Sequence, residues 1–125
     1  MIKVMYFMKR KPGVSHEAFR EHFDSHIRLS VSRFGHLLLQ HHRNYPARVT
    51  QGRAAAGQPA SWDYDCISEW FLADQAALDQ IIAILADPVT GKEFYDDAAK
   101  FLDADGTIMI RCDDVEVIAP ATAAP

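Results

Sequence analysis

Residues 2–33 read IKVMYFMKRKPGVSHEAFREHFDSHIRLSVSR, and the change of period inside this stretch decides the fold. Residues 2–10 are rich in Val, Tyr, Phe and Met and apolar on both parities, which predicts a strand covered on both faces. Pro12-Gly13 makes a turn. Ser15 is a good N-cap, with Glu17 and Glu21 suited to the positive end of a helix. Ala18, Phe19, His22, Phe23, His26, Ile27 and Ser30 then recur at steps of three and four, so the spacing predicts a helix over 15–33. Gly35 is its natural stop.

Working outward, residues 36–49 read as a second strand, with Pro46 marking an edge or an end of pairing. Residues 51–61, with two Gly, a Pro and an Ala run, form a loop. Trp62 to Leu72 alternates as a third strand, and Ala73 to Ala86 is an amphipathic helix broken by Asp87-Pro88. Residues 91–102 extend it, and Thr107 to Ile118 is the last strand. The order is β-α-β-β-α-β, which predicts one α+β, ferredoxin-like domain over 1–118: an antiparallel four-stranded sheet with helices on one face. The tail 119–125 has nothing to bury and is expected to be disordered. The bare face of such a sheet must be covered by something, most simply a second copy. A homodimer is expected.

The chain has 125 residues, 49% hydrophobic and 24% charged, which fits one globular domain and disfavours disorder and collagen. A net charge of −4 gives no global pull toward nucleic acid or anionic lipid. Residues 1–62 nevertheless carry ten basic and three acidic side chains, and residues 63–125 three basic and fourteen acidic. Two halves lying side by side and attracting account for this; a basic binding face in the first half is the sharper alternative. Cys66 and Cys112 make neither a CxxC nor a zinc pair. The opening apolar run stops after eight residues at Lys9-Arg10-Lys11-Pro12, so neither a secretion signal nor a membrane span is read there. The expectation is a cytoplasmic protein with reduced thiols.

Four stretches in order, Lys9-Arg10-Lys11-Pro12-Gly13-Val14-Ser15, Phe19-Arg20-Glu21-His22-Phe23 with His26, Glu69-Trp70-Phe71 and Phe101-Leu102-Asp103, resemble the EthD family of the dimeric α/β-barrel superfamily. That family is named for a gene cluster degrading ethyl tert-butyl ether, and the resemblance covers about residues 2–118. It implies two sheets facing each other as a barrel, helices outside, and a cavity between each sheet and its own helices. It implies less about chemistry, because this superfold hosts monooxygenases, isomerases, polyketide cyclases and decarboxylases. The cyclases place a catalytic His after a His-Pro pair following the second helix. Here Asp87-Pro88-Val89-Thr90 stands instead, and Thr90 cannot act as that base.

His22 and His26 are i and i+4, one turn apart on one helix face. A His lining an apolar cavity is a natural general acid or base, so with the family match His26 is the expected catalytic group and His22 its orienting partner. An HxxxH pair is also half a zinc site, for which His41, His42 or Glu69 would have to complete the set. No Glu follows His22 as in HExxH, and no metal is expected. Tyr6 shares a face with Val4 and Met8, and Tyr64, Cys66, Ser68 and Trp70 share another. In related barrels these faces look into the cavity, and Ile67, Glu69 and Phe71 toward the dimer, with Glu69 pairing to an Arg across it. Tyr6 and Tyr64 are therefore expected to polarise a substrate oxygen. Tyr64, Cys66, Phe19, Phe23 and Trp70 are expected to surround the substrate. One of His41 and His42 faces in, and parity alone does not say which. No phosphate-cradling loop, GxSxG, or flavin, haem or nicotinamide motif is present, so the expected chemistry is cofactor-independent. The reading is a catabolic or polyketide-type enzyme oxidising, dehydrating or isomerising a small apolar or aromatic molecule. The alternative is a ligand-binding or accessory protein that supports an oxygenase.

Overall fold

The computed structural model describes residues 1–53 and 56–113. In chain order the elements are β1 (Ile2–Met8), α1 (His16–Phe34), a 3₁₀ turn (Gly35–Leu37), β2 (Gln40–Asn44), β3 (Thr50–Gln51), β4 (Gln58–Pro59), β5 (Cys66–Leu72), α2 (Gln75–Ala86), α3 (Thr90–Ala98) and β6 (Ile108–Asp113). The four long strands form one sheet in the order β2-β5-β1-β6, and every pairing is antiparallel. β3 and β4 make a separate two-stranded hairpin. This is the ferredoxin-like α+β fold, enlarged by α3 and the hairpin.

The ends of the elements have local causes. Gly13 takes φ +86°, a left-handed conformation that closes the turn after β1 and that L side chains rarely adopt. The Ser15 hydroxyl then accepts the Ala18 N–H at 3.1 Å and starts α1. Asp74 caps α2 in the same way through the Ala77 N–H. Gly91 lies where the start of α3 meets the end of α2. A Cβ there would stand 2.1 Å from the Leu85 carbonyl oxygen, so only glycine lets the two helices approach this closely.

The face of the sheet that meets the helices carries the even-numbered residues of β1 and β5. Ile2, Val4, Leu72, Phe34, Leu78, Ile81 and Phe94 form one buried cluster, and Met8, Cys66, Phe19, Phe23 and Phe101 a second, with Tyr6 touching both. The opposite face presents Met5, Phe7, Ile67 and Phe71 together with Ile108 and Ile110, which are 46% and 42% exposed. Parity along the two central strands was thus legible in the sequence.

Several boundaries differ from the sequence reading. The second strand shrinks from 36–49 to Gln40–Asn44, because Gly35–Leu37 continues α1 as a 3₁₀ turn and Pro46 lacks the N–H needed to prolong pairing. The third strand begins at Cys66, not Trp62. The loop 51–61 contains the small hairpin. The helical extension ends at Ala98, after which turns carry Phe101 into the core. The last strand is described to Asp113; residues 114–118 of its expected span, and the tail 119–125, lie outside the described residues.

Candidate functional site

The i,i+4 spacing of His22 and His26 turns both imidazoles to the side of α1 that meets α3, where one carboxylate answers both. His26 Nδ1 lies 2.7 Å from Asp97 Oδ2, and His22 Nε2 lies 3.0 Å from Oδ1. Side-chain exposures of 15%, 27% and 23% for His26, His22 and Asp97 make His26 the most enclosed member. Phe101 stacks under His22 at 4.7 Å between ring centroids and meets His26 edge-on at 5.3 Å. Phe94 stands perpendicular to the His26 ring on its other side.

Burial pushes the Asp97 carboxyl up, but the hydrogen bonds and charge of His26 and His22 outweigh it and hold its pKa below the ordinary carboxylate value. Asp97 is therefore ionised at neutral pH and can only accept. Both facing nitrogens must donate: His22 carries a proton on Nε2 and His26 on Nδ1. When His26 is neutral, its lone pair sits on Nε2, which has no hydrogen-bond partner among the described residues. An oriented imidazole with a free basic nitrogen results. Asp97 thus sets the tautomer and orientation of the His26 ring.

His26 forms part of the wall of a cavity of about 140 Å³ between the sheet and the helices. Tyr6, Ser68 and Trp70 contribute from the sheet, and Phe23 and Phe94 from the helices. Tyr6 packs against Trp70 at 4.8 Å, and burial, with a smaller push from Tyr95, drives its phenol up to about 12. It is a neutral donor at any working pH. Ser68, almost fully buried, bonds His41 Nε2 at 2.7 Å. The β2–β5 register settles the pair that parity left open: His41 stands opposite Trp70, on the helix side, and His42 opposite Glu69 on the open face.

The structure therefore gathers His26, Tyr6, Phe23 and Trp70 around one cavity, with His22 just behind it through Asp97. Three expected substrate contacts lie elsewhere. The Tyr64 ring rests on Phe7 at 5.6 Å and Trp62 at 5.2 Å, on the other face of the sheet. The strand starts only at Cys66, so alternation does not extend back to residue 64. Cys66 is fully buried in the Met8–Phe19–Phe101 cluster, away from the cavity wall, and burial pushes its thiol up to about 11. It is a packing residue. Phe19 is buried in that same cluster, and its outer edge borders a separate groove of about 500 Å³ near Arg20, Arg48 and Trp62. Within the subunit Glu69, the residue expected to pair with an Arg across a dimer, meets Lys3 at 3.3 Å and accepts from Asn44.

Asp97 escaped the sequence reading. Its signal was present, since a carboxylate three residues after Phe94 falls on the apolar side of its own helix. Among the described residues, no group of three or more His, Cys, Asp or Glu is arranged to hold a metal ion, and no helix is long and apolar enough to cross a membrane.

Fold and site together define a ferredoxin-like protein with a histidine-lined cavity beneath its first helix. The EthD domain model matches residues 11–105, and the chain belongs to the EthD family. Its fold recurs in At3g17210 from Arabidopsis thaliana (18% identity, 95% of this chain and 100% of that one, TM-score 0.65). It recurs in an EthD family protein from Bacillus halodurans (21% identity, 92% and 99% coverage, TM-score 0.61). It also recurs in SnoaB, a cofactor-independent oxygenase from Streptomyces nogalater (9% identity, 95% and 97% coverage, TM-score 0.57). No curated protein matches the sequence.

His41 gives the site a pH signature. Burial first, then the charges of Arg43 and His42, push its pKa from 6.5 down to about 4. Between those values the unfolded chain binds a proton that the folded chain refuses, so stability falls as pH drops from 6.5 toward 4 and this contribution levels off below. Urea midpoints measured at pH 7, 5.5 and 4.5 are expected to decline less in His41→Gln than in the parent. Equal declines would show that His41 takes up its proton freely in the folded state.

Proposed function

We propose that this protein is an enzyme acting on a small apolar or aromatic molecule held between sheet and helices, by cofactor-independent acid–base chemistry. His26 is the acid/base, Asp97 and His22 orient it, and Tyr6 donates to a substrate oxygen. The observation that carries the reading is the enclosed His26, its Nδ1 pinned by a carboxylate while its ring forms part of an apolar cavity wall. In the proton-transfer step, His26 Nε2 takes a proton from the carbon next to a substrate carbonyl. The C–H electron pair moves to the carbonyl oxygen, where the Tyr6 hydroxyl stabilises the enolate. Returning the proton to another carbon isomerises the substrate, and loss of a neighbouring hydroxyl with that proton dehydrates it. Capture of the enolate by molecular oxygen would oxidise it; the likeness to SnoaB is compatible with that branch.

The working unit in this reading is a homodimer. The outward side of the sheet, with Met5, Phe7, Ile67, Phe71, Ile108 and Ile110, is too apolar to leave in water and suits a second copy of itself. We assign it to the cytoplasm, where thiols such as the free Cys66 and Cys112 stay reduced.

With a substrate found by screening small cyclic carbonyl compounds, His26→Ala is expected to lower kcat by about 10²–10⁴ while circular dichroism is retained. A folded His26→Ala variant that turns over normally would contradict the assignment. Separately, light scattering is expected to give twice the chain mass for the parent and the single mass for Ile110→Lys. A monomeric parent would remove the dimer from the account.

A further inference from the structure

The walls of the cavity say more about its occupant than its size class. We infer, resting on the reading of this cavity as the substrate site, that the substrate is an uncharged single-ring compound bearing one oxygen, a cyclic ketone, enone or phenol. Its oxygen sits against Tyr6 and Ser68 and its reacting carbon faces His26.

Volume sets the first limit. About 140 Å³ compares with the roughly 150 Å³ apolar cavity that accepts benzene in an engineered protein, so about six to eight heavy atoms fit. Phe23, Phe34 and Phe94, each nearly or fully buried in a packed cluster, bound its inner side, so a fused second ring would have to extend outward past the exposed Tyr95. Charge sets the second. Among the described residues, no Lys, Arg, Asp or Glu side chain lines the cavity, and any positive charge on His26 is already matched by Asp97. A carboxylate entering there would lose its water without gaining a partner, which costs several kcal/mol in general.

Polarity sets the third. Tyr6 and Ser68 are direct cross-strand partners on β1 and β5, so their side chains rise side by side from the cavity floor, with the Ser68 hydroxyl close to the sheet and the Tyr6 hydroxyl at the far end of its ring. The Tyr6 hydroxyl has no partner among the described residues, and Ser68 is hydrogen-bonded to His41 Nε2 at 2.7 Å. His26 comes from α1, which roofs the opposite side. A ligand oxygen therefore finds the unpartnered Tyr6 hydroxyl on the sheet beside Ser68, and the carbon it activates lies toward the imidazole.

The experiment is a binding panel read by Trp fluorescence and calorimetry, using phenol, 2-cyclohexenone, toluene, benzoate and 2-naphthol. Phenol and cyclohexenone are expected to bind best, toluene more weakly, and benzoate and 2-naphthol at least tenfold worse than phenol. In Tyr6→Phe and Ser68→Ala, phenol affinity is expected to fall about threefold to tenfold toward that of toluene, whose own affinity stays put. Benzoate or 2-naphthol binding as tightly as phenol would overturn the inference while leaving the cavity as substrate site. So would phenol affinity unchanged in both variants. If none of the five binds, the reading of the cavity as substrate site falls, and this inference with it.

Discussion

One carboxylate shared between two imidazoles organises the functional half of this molecule. Asp97 accepts from His22 and His26 across the α1–α3 contact, and the phenyl ring of Phe101 underlies the pair. Each link constrains the next. Because Asp97 stays ionised, the protons on the facing nitrogens are fixed; because those protons are fixed, the free lone pair of His26 is fixed too. Without the carboxylate, two half-buried imidazoles would stand against a phenylalanine cluster with nothing to choose their tautomers. The pairing also ties α3 to α1, and so helps hold Phe94 and Ala98 in place as cavity wall.

The sheet supplies the opposite side. Its central strands place Tyr6 against Ser68 and Val4 against Trp70, so small and large side chains alternate under the helices and leave a gap between two packed clusters. The helix wall is basic and oriented, while the floor is neutral and rich in hydroxyl donors. In the chemistry proposed above, that division gives proton movement to the imidazole and binding of an oxygen to the floor, the arrangement enolisation requires. The charge asymmetry along the chain finds a structural outlet as well. Arg10 meets Asp65, Lys3 meets Glu69, Arg33 meets Glu93, and the two histidines of α1 meet Asp97. The basic first half and the acidic second half lie against each other. An exposed pair such as Arg33–Glu93 contributes only about 0–1 kcal/mol.

How much of this was legible follows from what each inference needed. The switch from strand to helical period between Met8 and Ala18, the Ser15 cap and the parity of Val4, Tyr6, Ser68 and Trp70 are local properties, and they read correctly. Tyr64 misled because alternation holds only within a continuous strand, and Asp63 and Asp65, which favour turns over strands, mark the break before Cys66. His41 and His42 could not be told apart until the register against β5 was known, since a shift of one residue exchanges their faces. Asp97 was missed because its meaning is non-local: it lies 71 residues from His26 and acquires a role only when α3 docks on α1.

The most direct test is the protonation state of the two imidazoles at neutral pH. Long-range proton–nitrogen correlation spectra of ¹⁵N-labelled protein, assigned with His22→Gln and His26→Gln, report which ring nitrogens carry hydrogen. The account requires a proton on Nδ1 of His26 and on Nε2 of His22, whether or not either ring is doubly protonated. A His26 protonated only at Nε2, with Nδ1 bare, would mean that Asp97 does not hold it, and the orientation on which the proposed chemistry rests would be gone.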